Sequence, residues 1–451
     1  MVLFLLSAAL VSTAQNEDSI MIRRIADEIL VNGKAYQNLH TLTKQVGPRL
    51  TASPGWYKAE SWGVKTLKDA GADNVYMQEC MVPHWVRGGR DEARFSQGNN
   101  RAQTLDVIAL GNSVGTGPKG VTAPVILINS FDALEARKDE VKGKIVFYNY
   151  KFNPRFIRTF QAYGDAVRYR GQGPSRAARY GAVAALVRSM THAEGNNPHT
   201  GATNYNDSFP KIPALAVGIQ DADRLAAAIS QNSNTTLYMR SNAKMLPDTI
   251  GHNIIGELRG TEFPDEIITV GGHLDSWDPA EGAHDDGAGC VHSIEVLRAL
   301  KAIGYKPKHT IRVVLFVNEE NGTRGGNKYA QEAKEKNEKH IFALESDAGG
   351  FTPRGFGFTI SKEKLEKVRQ WLPLLSPYGT CELAEGGGGS DIGPLNRALG
   401  TPLAGLSPDS QRYFDIHHAR SDVFEAVNRR ELELGAVNMA ALIYLVDKYG
   451  L

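Results

Sequence analysis

The sequence predicts an α/β fold in which a mixed, mostly parallel sheet carries helices on both faces. Short apolar runs at 267–270, 310–317 and 341–344 have the length of buried strands, and the first of them consists of β-branched residues. Segments with apolar residues at helical spacing separate these runs, and such alternation is typical of parallel strands joined by helices. Apolar residues recur at helical spacing within residues 429–449, which predicts a long helix packed on the sheet.

The N-terminal region predicts two helices followed by a strand. Isoleucines recur at helical spacing within residues 16–32, and Gly33 ends that pattern. Residues 59–70 have helical spacing as well, and residues 74–82 alternate between apolar and polar side chains as a strand does. The chain is therefore expected to open as helix, helix and strand.

An apolar run of signal-peptide length occupies residues 2–11 and is followed by small residues at 12–14. Residues 1–14 are therefore predicted to be a signal peptide, although no Lys or Arg precedes the run, and a secreted or periplasmic protein is expected. A buried N-terminal strand or helix is the alternative. No other stretch approaches the ~20 uninterrupted apolar residues of a spanning helix, so no membrane span is predicted.

Length and charge limit the classes of protein to which the chain can belong. Its 451 residues are too many for one compact domain and predict two. Lys and Arg number 51 against 50 Asp and Glu, and this net charge of +1 argues against nucleic acid as a partner. The cysteines allow one disulfide at most and have no metal-ligand spacing; they are Cys80, Cys381 and Cys290, the last predicted to be a buried apolar residue of a helix.

The texture of the sequence changes between residues 104 and 242, where short β-like runs are separated by Gly, Asn and Pro. The chain is expected to return to the α/β sheet near Pro247, because residues 251–256 begin a strand that precedes 267–270. The β-like runs lie at 107–110, 125–128, 144–148 and 183–187.

Acidic residues and a histidine follow three consecutive predicted strands. Gly271 and Gly272 are expected to end the first of these strands. Taken singly, each polar residue has an ordinary explanation, such as a turn-forming Asp or a satisfied surface His. Because the carboxyl ends of parallel strands meet at one edge of a sheet, we expect the side chains to converge on a metal site. They are His273, Asp275, Asp285, Asp286, Glu319, Glu320 and Asp347.

A later segment, residues 413–422, adds His417 and His418 to this set. Imidazole and carboxylate groups are ligands that zinc accepts, and two ions about 3.5–4 Å apart need a carboxylate that bridges them. The residues are sufficient in type and number for two zinc ions, although such sites also accept manganese or cobalt.

The motifs HLDSWD, GAHDDGAG, NEENG, ESDAGG and FDIHHARSD occur in this order within residues 273–422. They resemble the motifs of the dizinc peptidases of the aminopeptidase-like clan, most closely the carboxypeptidase Q (plasma glutamate carboxypeptidase) group. The resemblance extends to VGPRLTASPG, VPHWVRGG, VKGKIVFYN and NPHTG, and so covers nearly all of the chain after residue 14. VKGKIVFYN, together with RYGAVAALVRS, is similar to the protease-associated domain, a β-rich insertion in these peptidases.

The resemblance implies a domain order and an assembly. Members of the group form homodimers, so a homodimer is expected here. The implied order is a signal peptide at 1–14, the N-terminal part of the catalytic domain at 15–103, a protease-associated insertion at 104–246 and the dizinc catalytic domain at 247–451.

The resemblance also implies which residues hold the metals. His418 matches the family's ligand better than His417, because the family places an acid four residues later and Asp422 stands there. The implied ligands are His273 and Asp347 for one zinc, Glu320 and His418 for the other, and Asp285 as the carboxylate that bridges both.

Further residues are implied to act beside the metals. Asp275 resembles the carboxylate that orients the ligating imidazole of His273. Glu319 is the implied general base, which takes a proton from the attacking water and passes it to the leaving amine. The glycines at 386–389 lie at the substrate pocket in the family, and their alternative role is a flexible loop. Candidates for substrate contact are therefore Ser390, Asp391 and His417.

The resulting hypothesis is a zinc-dependent exopeptidase that hydrolyses dipeptides or other short peptides through a metal-bridged water, with Glu319 as general base. One alternative is a general aminopeptidase on longer peptides, since the catalytic motifs are common to both. The other is a non-catalytic relative that serves as a receptor or scaffold. Such relatives lose ligands, and the presence here of all five candidates and the base argues against it.

Overall fold

The computed structural model describes residues 2–98 and 101–451, with side chains from residue 16 onward. Residues 1–14 were predicted to be a signal peptide. Their side chains lie outside the described range, so this stays a prediction. Two compact units share the chain. The predicted boundaries at residues 104 and 246 also stay a prediction. The first unit consists of Met1–Val82, Ile250–Asp409 and Val423–Leu451, and the second of Pro83–Thr249 and Ser410–Asp422.

Within the residues that the structure describes, the strands form two mixed sheets of eight strands each. In chain order they are β1 (Asn74–Val86), β2 (Glu92–Ser96), β3 (Gln103–Leu105), β4 (Val107–Ala109), β5 (Val121–Ile128), β6 (Ile145–Tyr148), β7 (Ala184–Arg188), β8 (Ala214–Val217), β9 (Thr236–Arg240), β10 (Lys244–Leu258), β11 (Phe263–His273), β12 (His309–Phe316), β13 (Lys339–Glu345), β14 (Pro353–Thr359), β15 (Glu382–Glu385) and β16 (Leu403–Pro408).

Helices alternate with these strands along most of the chain. They are α1 (Val2–Asn32), α2 (Ala35–Thr41), α3 (Pro54–Asp69), α4 (Phe131–Ala136), α5 (Thr159–Gly171), α6 (Gly173–Arg179), α7 (Ile219–Gln231), α8 (Ala288–Ala302), α9 (Glu319–Gly322), α10 (Arg324–Glu335), α11 (Lys362–Arg369), α12 (Leu372–Leu375), α13 (Gly393–Leu399), α14 (Tyr413–Ile416) and α15 (Arg429–Tyr449).

The sheet of the first unit has the order β1-β10-β12-β11-β13-β16-β14-β15. Its centre is parallel, because β11 pairs in parallel with both β12 and β13, and β13 pairs in parallel with β16. Antiparallel pairs flank this centre at β10–β12 and β14–β16. Every position of β12 is buried, as expected for a strand covered on both faces.

Helices cover both faces of this sheet, which confirms the predicted layering. Val313 and Leu315 of β12 belong to a core shared with residues of α1, α8 and α15. Their neighbours Val314 and Phe316 belong to a separate core with residues of α10 and α13. Successive side chains of a strand point to opposite faces, so one strand supplies both cores.

Most of the predicted elements of this unit are confirmed, with one informative difference. The last helix has the predicted bounds, Arg429–Tyr449. The predicted break at Gly271 and Gly272 is wrong, because β11 continues through both to His273. The glycines serve close packing instead, since a Cβ on Gly272 would overlap the carboxylate of Asp286.

The sheet of the second unit has the order β3-β2-β9-β5-β6-β7-β8-β4, with a parallel centre from β5 to β8. Ile145 and Phe147 of β6 pack in a core with residues of α7, and Val146 and Tyr148 in a core with residues of α4, α5 and α6. The unit is therefore a layered α/β structure, whereas the sequence predicted a β-rich one.

The structure also bears on the cysteines and on membrane insertion. Cys80 and Cys290 are buried free thiols, as predicted for Cys290, and Cys381 is an exposed one. Within the described residues, no helix combines the length and the apolar character that are needed to cross a bilayer.

Candidate active site

Three of the predicted metal ligands lie together at the carboxyl edge of the first sheet. His273 is the last residue of β11, Asp347 follows the end of β13, and Asp285 lies in the turn before α8. The imidazole Nε2 of His273 is 3.4 Å from Oδ1 of Asp285 and 3.5 Å from Oδ1 of Asp347. One ligand atom from each residue falls within 4.8 Å of the others, which is a spacing that could hold a metal ion. We call this group the imidazole-centred cluster.

The turn that carries Asp285 is shaped by its neighbour Asp286. Residues Ala283–Gly287 form a π-helical turn, and the peptide bond between Asp285 and Asp286 is cis. The buried carboxylate of Asp286 accepts the backbone N–H of His273 at 3.1 Å and that of Gly289 at 2.9 Å. Asp286 therefore links the end of β11 to the start of α8. Sequence reasoning noted the Asp-Asp pair but assigned no role to its second member.

The orientation of His273 directs one ring nitrogen toward the acids. Its Nδ1 is 3.0 Å from the backbone carbonyl oxygen of Asp275, which leaves Nε2 facing Asp285 and Asp347. Burial disfavours the charged imidazole, but the carboxylates of Asp275, Asp285 and Asp347 outweigh it and raise the pKa of His273 well above its ordinary value. The cluster thus has an excess of negative charge that attracts a cation.

Asp275 has a wider role in the structure than the one implied for it. Its carboxylate is 3.6 Å from Nδ1 of His273, farther than its own carbonyl oxygen. The same carboxylate accepts the backbone N–H of Glu319 at 3.1 Å, and its other oxygen lies 3.4 Å from the backbone nitrogen of Glu320. Thr51 donates its hydroxyl to that second oxygen at 3.0 Å. Asp275 therefore holds the segment that carries the predicted base.

Glu319 and Glu320 follow β12 after a sharp turn. Asn318 adopts the left-handed conformation (φ 64°) between the strand and the two acids, so the chain changes direction at the sheet edge. Glu320 is buried and Glu319 is partly exposed. Burial, reinforced by the charges of Asp347 and Asp275, raises the pKa of Glu319 to about 7, although His273 and a hydrogen bond from Ser390 oppose the rise. A pKa near neutrality suits a general base.

The glycine-rich loop encloses a second group of carboxylates. Oε2 of Glu345, the last residue of β13, accepts the backbone N–H groups of Asp391 and Ile392 at 3.1 and 2.9 Å. A Cβ on Gly389 would overlap the Glu345 carboxylate, so glycine is needed for this approach. Burial and the charge of Asp347 raise the pKa of Glu345 to about 8, and burial raises that of Asp391 well above its ordinary value. We call Glu345 and Asp391 the closed pair.

The substrate residues predicted in this loop differ in exposure. Ser390 is exposed and hydrogen-bonds Glu319, whereas Asp391 is completely buried. A direct contact between Asp391 and substrate stays a prediction, and the burial of Asp391 favours a role in shaping the loop. Glu345 had no predicted role, although it stands two residues before the predicted ligand Asp347.

His417 and His418 belong to the second compact unit. Their rings are stacked with centroids 3.6 Å apart. Nδ1 of His418 is 3.3 Å from the carbonyl oxygen of Thr200, and Arg170 donates to the same oxygen at 3.2 Å. Nη1 of Arg170 also lies 3.3 Å from Nδ1 of His418. The ligand role of His418 stays a prediction that rests on its motif.

The donors of the first unit fit a divalent metal by their chemistry. Neutral imidazole and ionised carboxylate groups supply the N and O atoms that zinc binds. Nearby carboxylates add to burial in raising the pKa of Asp286 and of Glu319, which shows how crowded with acids this edge is. A bound cation would lower that repulsion, so the residues present suit a metal better than an empty site.

The sequence matches one family model over part of its length and known relatives over most of it. The family model of peptidase family M28 matches residues 253–443. Carboxypeptidase Q of Homo sapiens is 35% identical over 422 residues, covering 93% of this chain and 87% of that protein. Carboxypeptidase Q of Mus musculus is 34% identical over 413 residues, covering 92% of this chain and 85% of that protein.

The chain also resembles solved structures of peptidases. A peptidase M28 precursor from Shewanella amazonensis SB2B has a TM-score of 0.90 and 30% identity, with 96% of this chain and 97% of that chain covered. A zinc aminopeptidase from Bacillus subtilis has a TM-score of 0.65 at 20% identity, with 92% and 95% covered, and shares the fold. The chain therefore belongs to peptidase family M28, and it is a metallopeptidase related to carboxypeptidase Q.

Proposed function

We propose that this protein is a zinc-dependent exopeptidase that hydrolyses dipeptides or other short peptides with two zinc ions in its active site. The observation that carries the proposal is the imidazole-centred cluster of His273, Asp285 and Asp347, with Glu319 at the same sheet edge and a pKa of about 7. The names of two relatives, carboxypeptidase Q and the zinc aminopeptidase, support both the reaction and the metal.

Some of the proposed metal ligands are supported by the structure, and the others by sequence motifs. His273, Asp285 and Asp347 would hold one zinc, and their proximity supports this assignment. Glu320 and His418 are proposed for the second zinc on their motifs, with Asp285 as the bridging carboxylate. Zinc bound there would supply Lewis-acid polarisation of the scissile carbonyl and of the attacking water.

The chain's own groups would carry the proton. Glu319 would accept a proton from the attacking water and deliver it to the leaving amine. Its pKa is about 7 in the metal-free protein, so the carboxylate form that accepts a proton is present near neutrality. Asp275 fixes the backbone of Glu319 through the 3.1 Å hydrogen bond, and the Ser390 hydroxyl contacts the Glu319 carboxylate, so the base has a defined orientation.

The glycine-rich loop is the proposed site for the free carboxylate of a dipeptide. Backbone N–H groups of glycine-rich loops bind carboxylates readily, and Ser390 is exposed there. His417 stays a proposed pocket residue. Asp391, which is buried, is proposed to keep the loop in place.

Metal analysis combined with peptide hydrolysis tests the function. The purified protein should contain about two zinc ions per chain, lose activity after chelation and regain it when zinc is returned. Manganese and cobalt should be tried in the same reconstitution, since the ligand set accepts them. Less than one metal ion per chain after gentle purification would count against an enzyme and favour a non-catalytic relative.

A general aminopeptidase is the second candidate. The observation in its favour is that aminopeptidases share the fold and most of the chain length, as the Bacillus subtilis enzyme does. A series of dipeptide, tripeptide and pentapeptide substrates separates the two, because a dipeptidase should strongly prefer the first. Comparable kcat/KM values across the series would establish the aminopeptidase.

Three further properties are proposed on the sequence resemblance. The second unit is proposed to be a protease-associated insertion, the protein to be exported after removal of residues 1–14, and two copies to form a homodimer. N-terminal sequencing of the mature protein and sedimentation at micromolar concentration test the last two. An unprocessed N-terminus or a single monomeric species would remove the corresponding proposal.

A further inference from the structure

Arg49 is a completely buried arginine, and its guanidinium hydrogen-bonds one loop at the edge of the candidate active site. Its Nε donates to the carbonyl oxygen of Leu274 at 2.5 Å, Nη1 to that of Glu281 at 2.6 Å and Nη2 to that of Gly282 at 2.8 Å. The backbone N–H of Arg49 also donates to the hydroxyl of Ser276 at 3.3 Å. One side chain thus binds both ends of the loop formed by residues 274–282.

This loop connects two members of the imidazole-centred cluster. It begins directly after His273 and ends shortly before Asp285, so its shape sets where these two ligands lie relative to each other. Gly282 adopts a left-handed conformation (φ 58°) there, and a Cβ at this position would overlap Ser276, which shows how tightly the loop is folded. The planar fork of a guanidinium can reach three carbonyl groups at once, whereas the ammonium of a lysine is a single point.

Thr51 stabilises the other side of the same edge. It is 1% exposed, and its hydroxyl donates to the carboxylate of Asp275 at 3.0 Å. That carboxylate in turn accepts the backbone N–H of Glu319. The threonine is therefore linked to the proposed base through Asp275.

We propose that Arg49 and Thr51 are positioning residues for the metal site and for the base, supplied by the N-terminal segment of the chain. The inference rests on the proposed function and gives a role to the motif VGPRLTASPG (residues 46–55), which that function leaves unexplained. Arg49 sets the spacing of the ligands, and Thr51 sets the direction of Glu319. Removing groups that orient metal ligands commonly costs 10–100-fold in metal affinity or activity.

The Thr51 half of the proposal is tested with a pair of near-isosteric variants. Thr51→Val keeps the shape and removes the hydroxyl, and should lower kcat by about 10-fold with KM unchanged. Thr51→Ser restores the donor and should recover most of that loss. Thr43→Val is the matched control, because it removes another buried threonine hydroxyl of the same region, which donates to the carbonyl of Leu39 at 2.8 Å. A Thr51→Val enzyme with the kcat of wild type, or a serine variant as impaired as the valine one, overturns this half.

The Arg49 half is tested on metal-free protein as well as on activity. Arg49→Lys keeps the positive charge but cannot form all three hydrogen bonds to the carbonyl oxygens. It should weaken zinc binding about 10–100-fold, measured in competition with a chelator. Arg312→Lys is the control, because Arg312 is a buried arginine of β12 that pairs with Glu257 and Glu338. Both variants are expected to lower the melting temperature of the metal-free protein, and Arg49→Lys alone should change zinc affinity.

Wild-type measurements separate this inference from the proposed function. If Arg49→Lys melts like the control and binds zinc like wild type, the arginine is structural only and the inference fails while the function stands. If the wild-type protein itself binds no zinc and cleaves no peptide, the proposed function fails and the inference fails with it.

Discussion

The imidazole-centred cluster and the closed pair are two groups of acids in the same unit, and they differ in what surrounds them. In the cluster, Asp285 and Asp347 share the imidazole of His273, and the side chain of Asp347 is 22% exposed. In the closed pair, Glu345 and Asp391 are almost completely buried and the glycine-rich loop encloses them. The first arrangement suits a metal that exchanges with solvent, and the second suits an internal support.

The difference indicates that burial by itself does not suit a group of acids to a cation. Burial raises the pKa of Glu345 to about 8, so this carboxyl group is largely protonated at neutral pH in the metal-free protein. A protonated acid is a hydrogen-bonding group and not a strong metal ligand. The imidazole and the solvent access of the cluster are the features that keep its acids suited to a cation.

The largest expected effect comes from the cluster. Asp285→Asn removes the proposed bridging carboxylate, so both zinc ions should be weakened together and activity should fall by more than about 10³-fold. Zinc content per chain and kcat/KM are the measurements. Asp265→Asn, at an exposed position earlier on β11, is the control and should match wild type. Full zinc content in Asp285→Asn would show that the cluster does not hold the metal.

The next effect separates two neighbouring acids. Glu319→Gln keeps the shape of the side chain and deletes the base, so turnover should fall by roughly 10²–10⁴-fold while zinc is retained. Glu320→Gln should instead lower zinc content, because Glu320 is the proposed ligand. Wild-type turnover in Glu319→Gln would remove the base assignment, and zinc loss in both variants would remove the division of roles.

A smaller effect concerns the loop that encloses the closed pair. If its backbone donors bind the free carboxylate of a dipeptide, a dipeptide amide leaves them unpaired at a cost of about 1–3 kcal/mol, or roughly 5–150-fold in kcat/KM. The comparison of dipeptide with dipeptide amide at saturating zinc measures this. Equal kcat/KM values would show that the loop supports the site without binding substrate.

The last prediction concerns the stability of the protein, which the closed pair should make dependent on pH. The pKa of Glu345 is raised to about 8 in the folded protein, whereas a glutamate in an unfolded chain titrates near 4.3. As the pH rises, Glu345 loses its proton in the unfolded chain before it does so in the folded protein. Its contribution to the free energy of unfolding is therefore complete below about pH 4 and is lost as the pH rises to about 8.

Glu345→Gln removes this titration and should flatten the pH dependence of the metal-free protein. Melting temperatures between pH 5 and 8 should fall less for the variant than for wild type, since an amide resembles the protonated acid. Glu385→Gln, at an exposed position of β15, should follow wild type. Equal slopes for Glu345→Gln and wild type would show that the pKa of Glu345 is not raised in the folded protein.

The sequence by itself determined the types of element and the residues with metal-binding chemistry. The bounds of α15 follow from apolar spacing, and the strands before His273, Glu319 and Asp347 follow from short apolar runs. Both patterns are local, because the repeat with which side chains point to one face is set by the backbone of the same segment. Parallel strands then require that their carboxyl ends share an edge, which is why the convergence of these acids could be predicted.

The tertiary structure alone decided which of these groups touch and how. Arg49 reaches the carbonyl of Leu274 from 225 positions earlier in the chain, and no periodicity signals such a contact. The extension of β11 through Gly271 and Gly272, and the closure of a loop around Glu345, depend in the same way on groups distant in sequence. Spacing along a chain sets secondary structure, but burial, pKa and hydrogen-bond partners are properties of the packed neighbours, and these exist only once the chain has folded.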